Sequence, residues 1–208
     1  MQELQRARRS IDSAADTASL QRAAGEIQAL LQAAVAQAPA EPLTRLISTL
    51  NDRLTRRVIR LTSAGTQIEA VRWCWIGLGS EGRQEQTLSS DQDNGIIFAE
   101  SDPDDALREI LLPLAQRINE ELASYGFPLC AGQIMASNPQ WCLSLHEWRN
   151  RFANWIFEGE PQALLNATIF FDLRPLYGAH DLAQSQAGAD LAHLRNGKLH
   201  SGESPDIG

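Results

Sequence analysis

The chain has 208 residues, of which 43% are hydrophobic, and a formal net charge of −8. This length is sufficient for one well-packed domain and an additional helical segment. The acidic balance disfavours a nucleic-acid partner, because such affinity comes largely from phosphates neutralised by Lys and Arg. The sequence contains no run of roughly 20 apolar residues and no signal-peptide core, and its three cysteines form no C-x-x-C pair. We therefore expect a cytoplasmic protein without a membrane partner, whose cysteines are buried thiols.

Residues 1–63 are predicted to form a helical segment arranged as a hairpin. Apolar residues recur at steps of three and four in two stretches, each of which would form one apolar stripe on a helix. The residues at 38–42, Ala-Pro-Ala-Glu-Pro, separate the stretches, and Pro42 suits the first turn of the second helix. Nothing in this segment indicates chemistry, so we interpret it as a packing or dimerising support. The stripes comprise Leu20, Ile27, Leu30, Leu31, Ala34 and Val35, then Leu43, Leu46, Ile47, Leu50, Leu54, Val58 and Leu61.

Residues 64–142 contain the patterns expected of a sheet with one long helix. Alternation over 71–76 predicts a first strand, and Gly95–Phe98 predicts a second. A helix is predicted from Pro103, capped by Ser101 or Asp102 and ended by Gly126. Residues 129–135 are predicted to form a third strand.

Residues 143–183 are predicted to form a partial helical region, followed by a loose polar tail at 184–208. Ser144 and Glu147 form a capping box that would begin a helix. A second helical run is predicted over 162–171. An incomplete helical region would expose apolar surface and favour a homo-oligomer. The side chains expected on that surface are Trp148, Phe152, Trp155 and Phe170.

The segment 77–94 has three alternative interpretations, two of which fail on sequence grounds. Its three glycines match the G-x-G-x-x-G fingerprint of dinucleotide-binding folds, but residues 83–94 offer only Leu88 as a large apolar side chain. No helix of that composition could pack on a sheet, as the fingerprint requires. A calcium loop beginning at Asp91 would place glycine at its fifth position and no glutamate at its twelfth, which is also incompatible.

The third interpretation is a site for nucleotidyl transfer. Gly79 allows close approach of backbone N–H groups to phosphates, and Ser80 adds a hydroxyl. Asp91 and Asp93, two residues apart in a strand, would project from the same face and offer hard oxygen ligands to Mg²⁺. The alternative is a polar turn in which both aspartates are solvated turn formers.

The same segment resembles a known family. Gly79-Ser80 followed by Asp91-x-Asp93 is the motif of the nucleotidyltransferase superfamily, and residues 79–94 as a whole resemble the DUF294 group. That group is related to the N-terminal domain of PII-protein uridylyltransferase. Further similarity at 130–141 and 169–178 extends the resemblance over about residues 45–182. The resemblance implies an α+β nucleotidyltransferase fold: a small mixed sheet flanked by helices, with an N-terminal helical segment and a partial C-terminal helical domain.

The resemblance also implies an activity and its residues. It implies transfer of a nucleoside monophosphate from a nucleoside triphosphate to an acceptor, such as a protein, with Mg²⁺ as cofactor. Asp91 and Asp93 would be the catalytic residues and metal ligands. The nucleotide-binding residues would be Gly79, Ser80, Arg83 and Glu85, although Arg83 could either meet a phosphate or pair with Glu85.

One departure from the superfamily pattern concerns a third carboxylate, which is usual on the next core strand. Residues 129–135 contain no acid, and Cys130 stands near the expected place. Asp172 could substitute, but we expect it to form an ion pair with Arg174. The alternative function is therefore a nucleotide-binding regulatory module with little or no turnover.

Overall fold

The N-terminal part of the chain forms three helices rather than two. The computed structural model describes residues 2–35, 39–99, 104–158 and 172–185. The helices are α1 (Gln2–Ser13), α2 (Thr17–Val35) and α3 (Ala40–Ser63), and the predicted hairpin corresponds to α2 and α3. The prediction missed the break after α1, where Asp16 caps α2 by accepting a 2.7 Å hydrogen bond from the Ser19 backbone N–H.

The four strands form one mixed sheet in the order β3-β2-β1-β4. They are β1 (Trp73–Gly77), β2 (Asn94–Phe98), β3 (Cys142–Ser144) and β4 (Arg174–Gly178). β1 is antiparallel to both β2 and β4, whereas β2 and β3 are parallel. The first two strands lie where they were predicted. The fold class is confirmed as α+β, with a small mixed sheet flanked by helices.

The predicted third strand at 129–135 is wrong. These residues form turns and irregular backbone, and Gln133 has a φ of +57°, which interrupts an extended conformation. Instead of a ladder, the segment makes an isolated hydrogen bond to the start of β2, in which the Asn94 N–H donates to the Ile134 carbonyl at 3.1 Å. β2 pairs with β1 along one edge, and the strand along its other edge is β3.

Helices cover both faces of the sheet. α5 (Asp104–Ser124) and α3 pack on the face that presents Trp75 and Phe98. α6 (Leu145–Glu158) covers the opposite face, on which Ile76 and Ile97 lie. Because both faces are covered, every residue of β1 and β2 is buried.

The predicted capping box is confirmed at the start of α6. The Ser144 N–H donates to Glu147 Oε2 at 2.7 Å, and the Glu147 N–H donates to Ser144 Oγ at 3.3 Å. The apolar surface predicted on this helix is wrong for Trp148 and Phe152, which are fully buried against the sheet. Phe170 lies outside the described residues, so the homo-oligomer stays a prediction.

The sheet is not limited to residues 64–142. It also contains β4, which pairs with β1 along the edge of β1 opposite to β2. Residues 180–185 are helical after β4. The predicted cap at Ser101 or Asp102, the helical run at 162–171 and most of the polar tail lie outside the described residues. Among the described residues, none of the helices combines the length and the apolar composition that a membrane span requires. All three cysteines are buried and free, as predicted.

Candidate functional site

The segment after β1 forms a single helical turn, α4 (Gly79–Gly82). Gly79 has a φ of +49°, a conformation that glycine adopts without strain. The Glu85 N–H donates to the Ser80 carbonyl at 2.9 Å, and residues 83–93 contain no further helix. Together with the antiparallel pairing of β1 and β2, this confirms that the glycines do not form a dinucleotide-binding βαβ unit.

Gly82 packs directly against the chain that leads into β4. A Cβ atom at this position would lie 1.9 Å from the backbone oxygen of Asp172. The close contact therefore requires glycine at position 82 and holds α4 against the beginning of the last strand.

The aspartate segment alternates between partly exposed carboxylates and buried amides. Asp91 and Asp93 are partly exposed, whereas Gln92 and Asn94 are 4% and 1% exposed. Irregular backbone precedes β2 here, yet it keeps the two-residue alternation expected of a strand. Asn119 of α5 donates to Gln92 Oε1 at 2.8 Å and to Asn94 Oδ1 at 3.1 Å. The amides thus anchor the segment, and the carboxylates face away from the anchor.

The same anchor brings a thiol to the two carboxylates. Asn94 Oδ1 accepts the Ala136 N–H at 2.9 Å, which holds the 128–136 segment beside the aspartates. One carboxylate oxygen each of Asp91 and Asp93 and the Sγ of Cys130 all lie within 4.8 Å of one another. Ligand atoms about 2.0–2.6 Å from one cation would be separated by such distances. The donor set therefore fits a divalent cation.

Electrostatics at this cluster favour a cation. Burial raises the pKa of the Asp93 carboxyl, a hydrogen bond from Cys130 lowers it, and the charge of Asp91 raises it again. Burial also raises the pKa of the Cys130 thiol to about 11. Two neighbouring carboxylates repel each other in their ionised forms, and a bound dication would reverse that repulsion.

The glycine turn and the aspartate segment lie side by side. The Leu78 N–H, immediately before Gly79, donates to the backbone oxygen of Asp93 at 2.9 Å. This bond continues the register of β1 and β2 beyond the ends of the strands. The structure therefore brings the predicted phosphate-contacting and metal-binding residues to the same end of the β1–β2 pair.

Arg83 forms two ion pairs above the turn. Its Nε donates to Glu85 Oε2 at 2.7 Å and its Nη1 donates to Asp172 Oδ2 at 2.6 Å. The predicted pair between Asp172 and Arg174 is therefore wrong. Asp172 precedes β4 and faces Arg83, whereas Arg174 lies within β4 and reaches α3.

Arg174 joins three parts of the molecule at the base of the turn. Its guanidinium donates to both carboxylate oxygens of Asp52 on α3 at 2.8 Å. It also donates to the backbone oxygens of Glu81 at 2.8 Å and Gly82 at 3.1 Å. This role of α3 was not predicted, although polar residues at helical spacing within its apolar stripe could have indicated it. These residues are Ser48, Asp52 and Thr55, all buried.

Glu81 is a buried acid within the turn itself. Its side chain is almost inaccessible to solvent. Burial raises the pKa of its carboxyl to about 8, the negative charges of Asp52 and Asp93 add to this shift, and Arg174 opposes it. Position 81 was not singled out in the sequence, because an acid in a glycine-rich loop is usually solvated.

Comparison with known proteins identifies the family. A search of curated proteins gives no match. The family model described as "Putative nucleotidyltransferase DUF294" matches residues 25–162, about two thirds of the chain. The matched range contains the second half of α2, all of α3, the glycine turn, the aspartate segment and Cys130. The chain therefore belongs to the DUF294 family and to the general class of nucleotidyltransferases.

Proposed function

We propose that the protein transfers a nucleoside monophosphate from a nucleoside triphosphate to an acceptor hydroxyl, with Mg²⁺ as cofactor. In this reaction the acceptor hydroxyl loses its proton to solvent and its oxygen forms a bond to the α-phosphorus, the bond between the α-phosphorus and the oxygen that bridges to the β-phosphate breaks, and pyrophosphate leaves with that oxygen. The observation that supports it best is the position of Asp91 and Asp93 beside the Gly79–Ser80 turn, within a chain of this family. The resemblance to PII-protein uridylyltransferase favours a protein acceptor.

Asp91 and Asp93 would hold the metal through hard oxygen ligands. When bound, Mg²⁺ would neutralise charge on the triphosphate and orient its phosphates. The anchoring of Gln92 and Asn94 fixes the two carboxylates before the nucleotide arrives, which lowers the cost of ordering them. Catalysis in this arrangement depends on positioning and electrostatics.

The glycine turn and Arg83 would contact the phosphates. Gly79 lets the backbone approach closely, and the Ser80 hydroxyl can donate a hydrogen bond. Glu85 and Asp172 hold Arg83 through its Nε and Nη1, and its Nη2 makes no hydrogen bond within the described residues. That remaining amino group is available to a phosphate oxygen. Glu85 would therefore act by orienting Arg83.

A second candidate function is a nucleotide-binding module with little turnover. It is favoured by the cluster itself, in which the potential ligand beside Asp91 and Asp93 is the thiol of Cys130 and not a third carboxylate. A thiol with a raised pKa is a poor substitute for a carboxylate in contact with an acceptor hydroxyl or a hard cation. The two functions differ in turnover and share nucleotide binding.

Release of pyrophosphate distinguishes the two functions. We would incubate the protein with each nucleoside triphosphate, Mg²⁺ and a cell lysate, and measure both pyrophosphate and label transferred to protein. Transfer to a protein supports the enzymatic proposal, whereas binding without release by a folded sample supports the module. Cys130→Asp introduces a third carboxylate beside Asp91 and Asp93 and should increase turnover, whereas the matched variant Cys130→Ser should not. Equal turnover in the two variants would contradict the role given to this position.

A further inference from the structure

The outward face of α3 carries four arginines on an otherwise acidic chain. Arg53, Arg56, Arg57 and Arg60 are spaced by three and four residues and therefore share one side of the helix. Together with Asp12 of α1 they line a cavity of about 340 Å³, which we name the arginine groove. Four guanidinium groups and one carboxylate give the groove a formal charge of +3, although the whole chain carries −8.

Three of the four guanidinium groups are held in place by contacts with other parts of the fold. Surface arginines usually lose side-chain entropy when they bind a ligand, and fixed side chains avoid part of this cost. Each anchor uses only some of the five N–H donors of its arginine, which leaves the others for a ligand. The anchors are the Asp12 carboxylate for Arg53 at 2.7 Å, the Leu176 carbonyl for Arg56 at 2.8 Å and the Ala14 carbonyl for Arg57 at 3.0 Å.

Arg60 distinguishes a binding groove from a set of purely structural arginines. It is exposed, lines the same cavity, and makes no hydrogen bond or ion pair with any residue that the structure describes. A structural role would not require this fourth cation. Like charges at helical spacing of three and four repel each other, so an anion in the groove would relieve their repulsion.

We propose that the arginine groove binds a small phosphate-bearing anion of the polyphosphate class. The planar guanidinium fork matches the spacing of phosphate oxygens, and several forks can hold a multiply charged anion. The cavity volume is within the range of small-ligand sites. None of its lining residues belongs to the Gly79–Asp93 site, so the groove is a second anion site.

Tripolyphosphate is the probe for the test, and isothermal titration calorimetry measures its binding to the full chain. The titration uses the Asp91→Asn/Asp93→Asn variant in buffer with EDTA, so that metal-dependent binding at the other site is absent. Arg60→Gln removes the cation that has no structural partner among the described residues. Arg45→Gln is the matched control, because Arg45 is an exposed arginine on the same helix, paired with Glu41 outside the groove.

We expect binding of one tripolyphosphate per chain, weakened about tenfold by Arg60→Gln and less than about twofold by Arg45→Gln. Arg60→Lys should recover part of the affinity, because it keeps the charge but loses the fork. The proposal would be overturned by an absence of binding, or by equal weakening in the two glutamine variants. It would also be overturned if a single-stranded oligonucleotide bound and tripolyphosphate failed to displace it, since the groove would then serve nucleic acid.

Discussion

Replacing Arg174 with methionine removes the side chain that links β4 and α3 to the glycine turn. The change eliminates two hydrogen bonds to Asp52 and two to backbone carbonyls of the turn. It also leaves the Asp52 carboxylate, which is 5% exposed, without its main counter-ion. Breaking a buried ion pair by removing one partner costs about 3–5 kcal/mol of folding free energy.

We expect a loss in the lower part of that range, about 3 kcal/mol, because the Arg174 side chain is 21% exposed to solvent and the pair is therefore not fully buried. For a chain of this size that loss corresponds to a decrease of about 6–12 °C in melting temperature. Urea unfolding followed by circular dichroism measures the free energy, and thermal unfolding measures the temperature. Arg45→Met serves as the control, since its pair with Glu41 is exposed and should contribute less than about 1 kcal/mol.

A double-mutant cycle separates the ion pair from the loss of packing. Asp52→Leu combined with Arg174→Met replaces both charges with apolar groups and should be less destabilising than the sum of the single changes. Contacting residues have coupling energies of about 0.5–3 kcal/mol, and we expect a coupling of at least about 1 kcal/mol here. If Arg174→Met loses no more stability than the control, or if the two single changes add, then the pair does not hold the turn and our reasoning is wrong.

Three further predictions concern the surroundings of the site. Glu81→Gln should change the pH dependence of stability. The pKa of Glu81 in the folded protein is raised from 4.5 to about 8, so the contribution of this residue to stability falls as the pH rises through this interval. Glutamine cannot ionise and makes no such contribution. Urea midpoints at pH 5 and pH 8.5 should therefore shift in favour of the variant at the higher pH, and a constant difference would refute this. Asn119→Leu should cost about 1–3 kcal/mol, because it removes the donor to the buried Gln92 Oε1 and one of the two donors to Asn94 Oδ1; a loss below about 1 kcal/mol would mean that water replaces the side chain. Gly82→Ala should destabilise by about 1–3 kcal/mol, because the new methyl would meet the Asp172 carbonyl, whereas Gly25→Ala in α2, where no atom lies within 4 Å, should stabilise by about 0.5–1 kcal/mol. Equal effects of the two alanine substitutions on the urea midpoint would contradict the close packing at position 82.

The parts of the fold that were predictable depend on local periodicity. α2, α3 and the first two strands have patterns long enough to be recognised in isolation. β3 has only three residues, and its pairing with β2 is decided by tertiary contacts. The 129–135 segment has strand-like composition, but Gln133 adopts a positive φ, and the neighbouring Ile134 carbonyl accepts a hydrogen bond from the Asn94 N–H instead of joining a ladder. Short strands of this kind are set by context rather than by their own sequence.

In the candidate site, too, some features follow from local spacing and others depend on tertiary contacts. The pairing of Asp91 and Asp93 follows from their spacing, and the alternation survives although the backbone there is not a strand. The polar residues in the apolar stripe of α3 are visible in the sequence, but Asp52 pairs with Arg174 across 122 positions, so no local pattern identifies the partner. Asp172 and Arg174 are close in sequence, and we expected them to pair. Asp172 lies just before the edge strand β4 and pairs with Arg83, whereas Arg174 lies within β4 and pairs with Asp52.

The most direct test of the central proposal, a metal-dependent nucleotide site at Asp91 and Asp93, is the melting-temperature shift of the Asp91→Asn/Asp93→Asn variant. Wild-type protein with a nucleoside triphosphate at about 100 times its Kd should gain about 2.7 kcal/mol, or about 5–10 °C, when Mg²⁺ is present. The variant should remain folded and lose the Mg²⁺-dependent part of that shift, because neutral amides are poor ligands for a hard dication. If the variant keeps the full wild-type shift, Asp91 and Asp93 do not hold the metal.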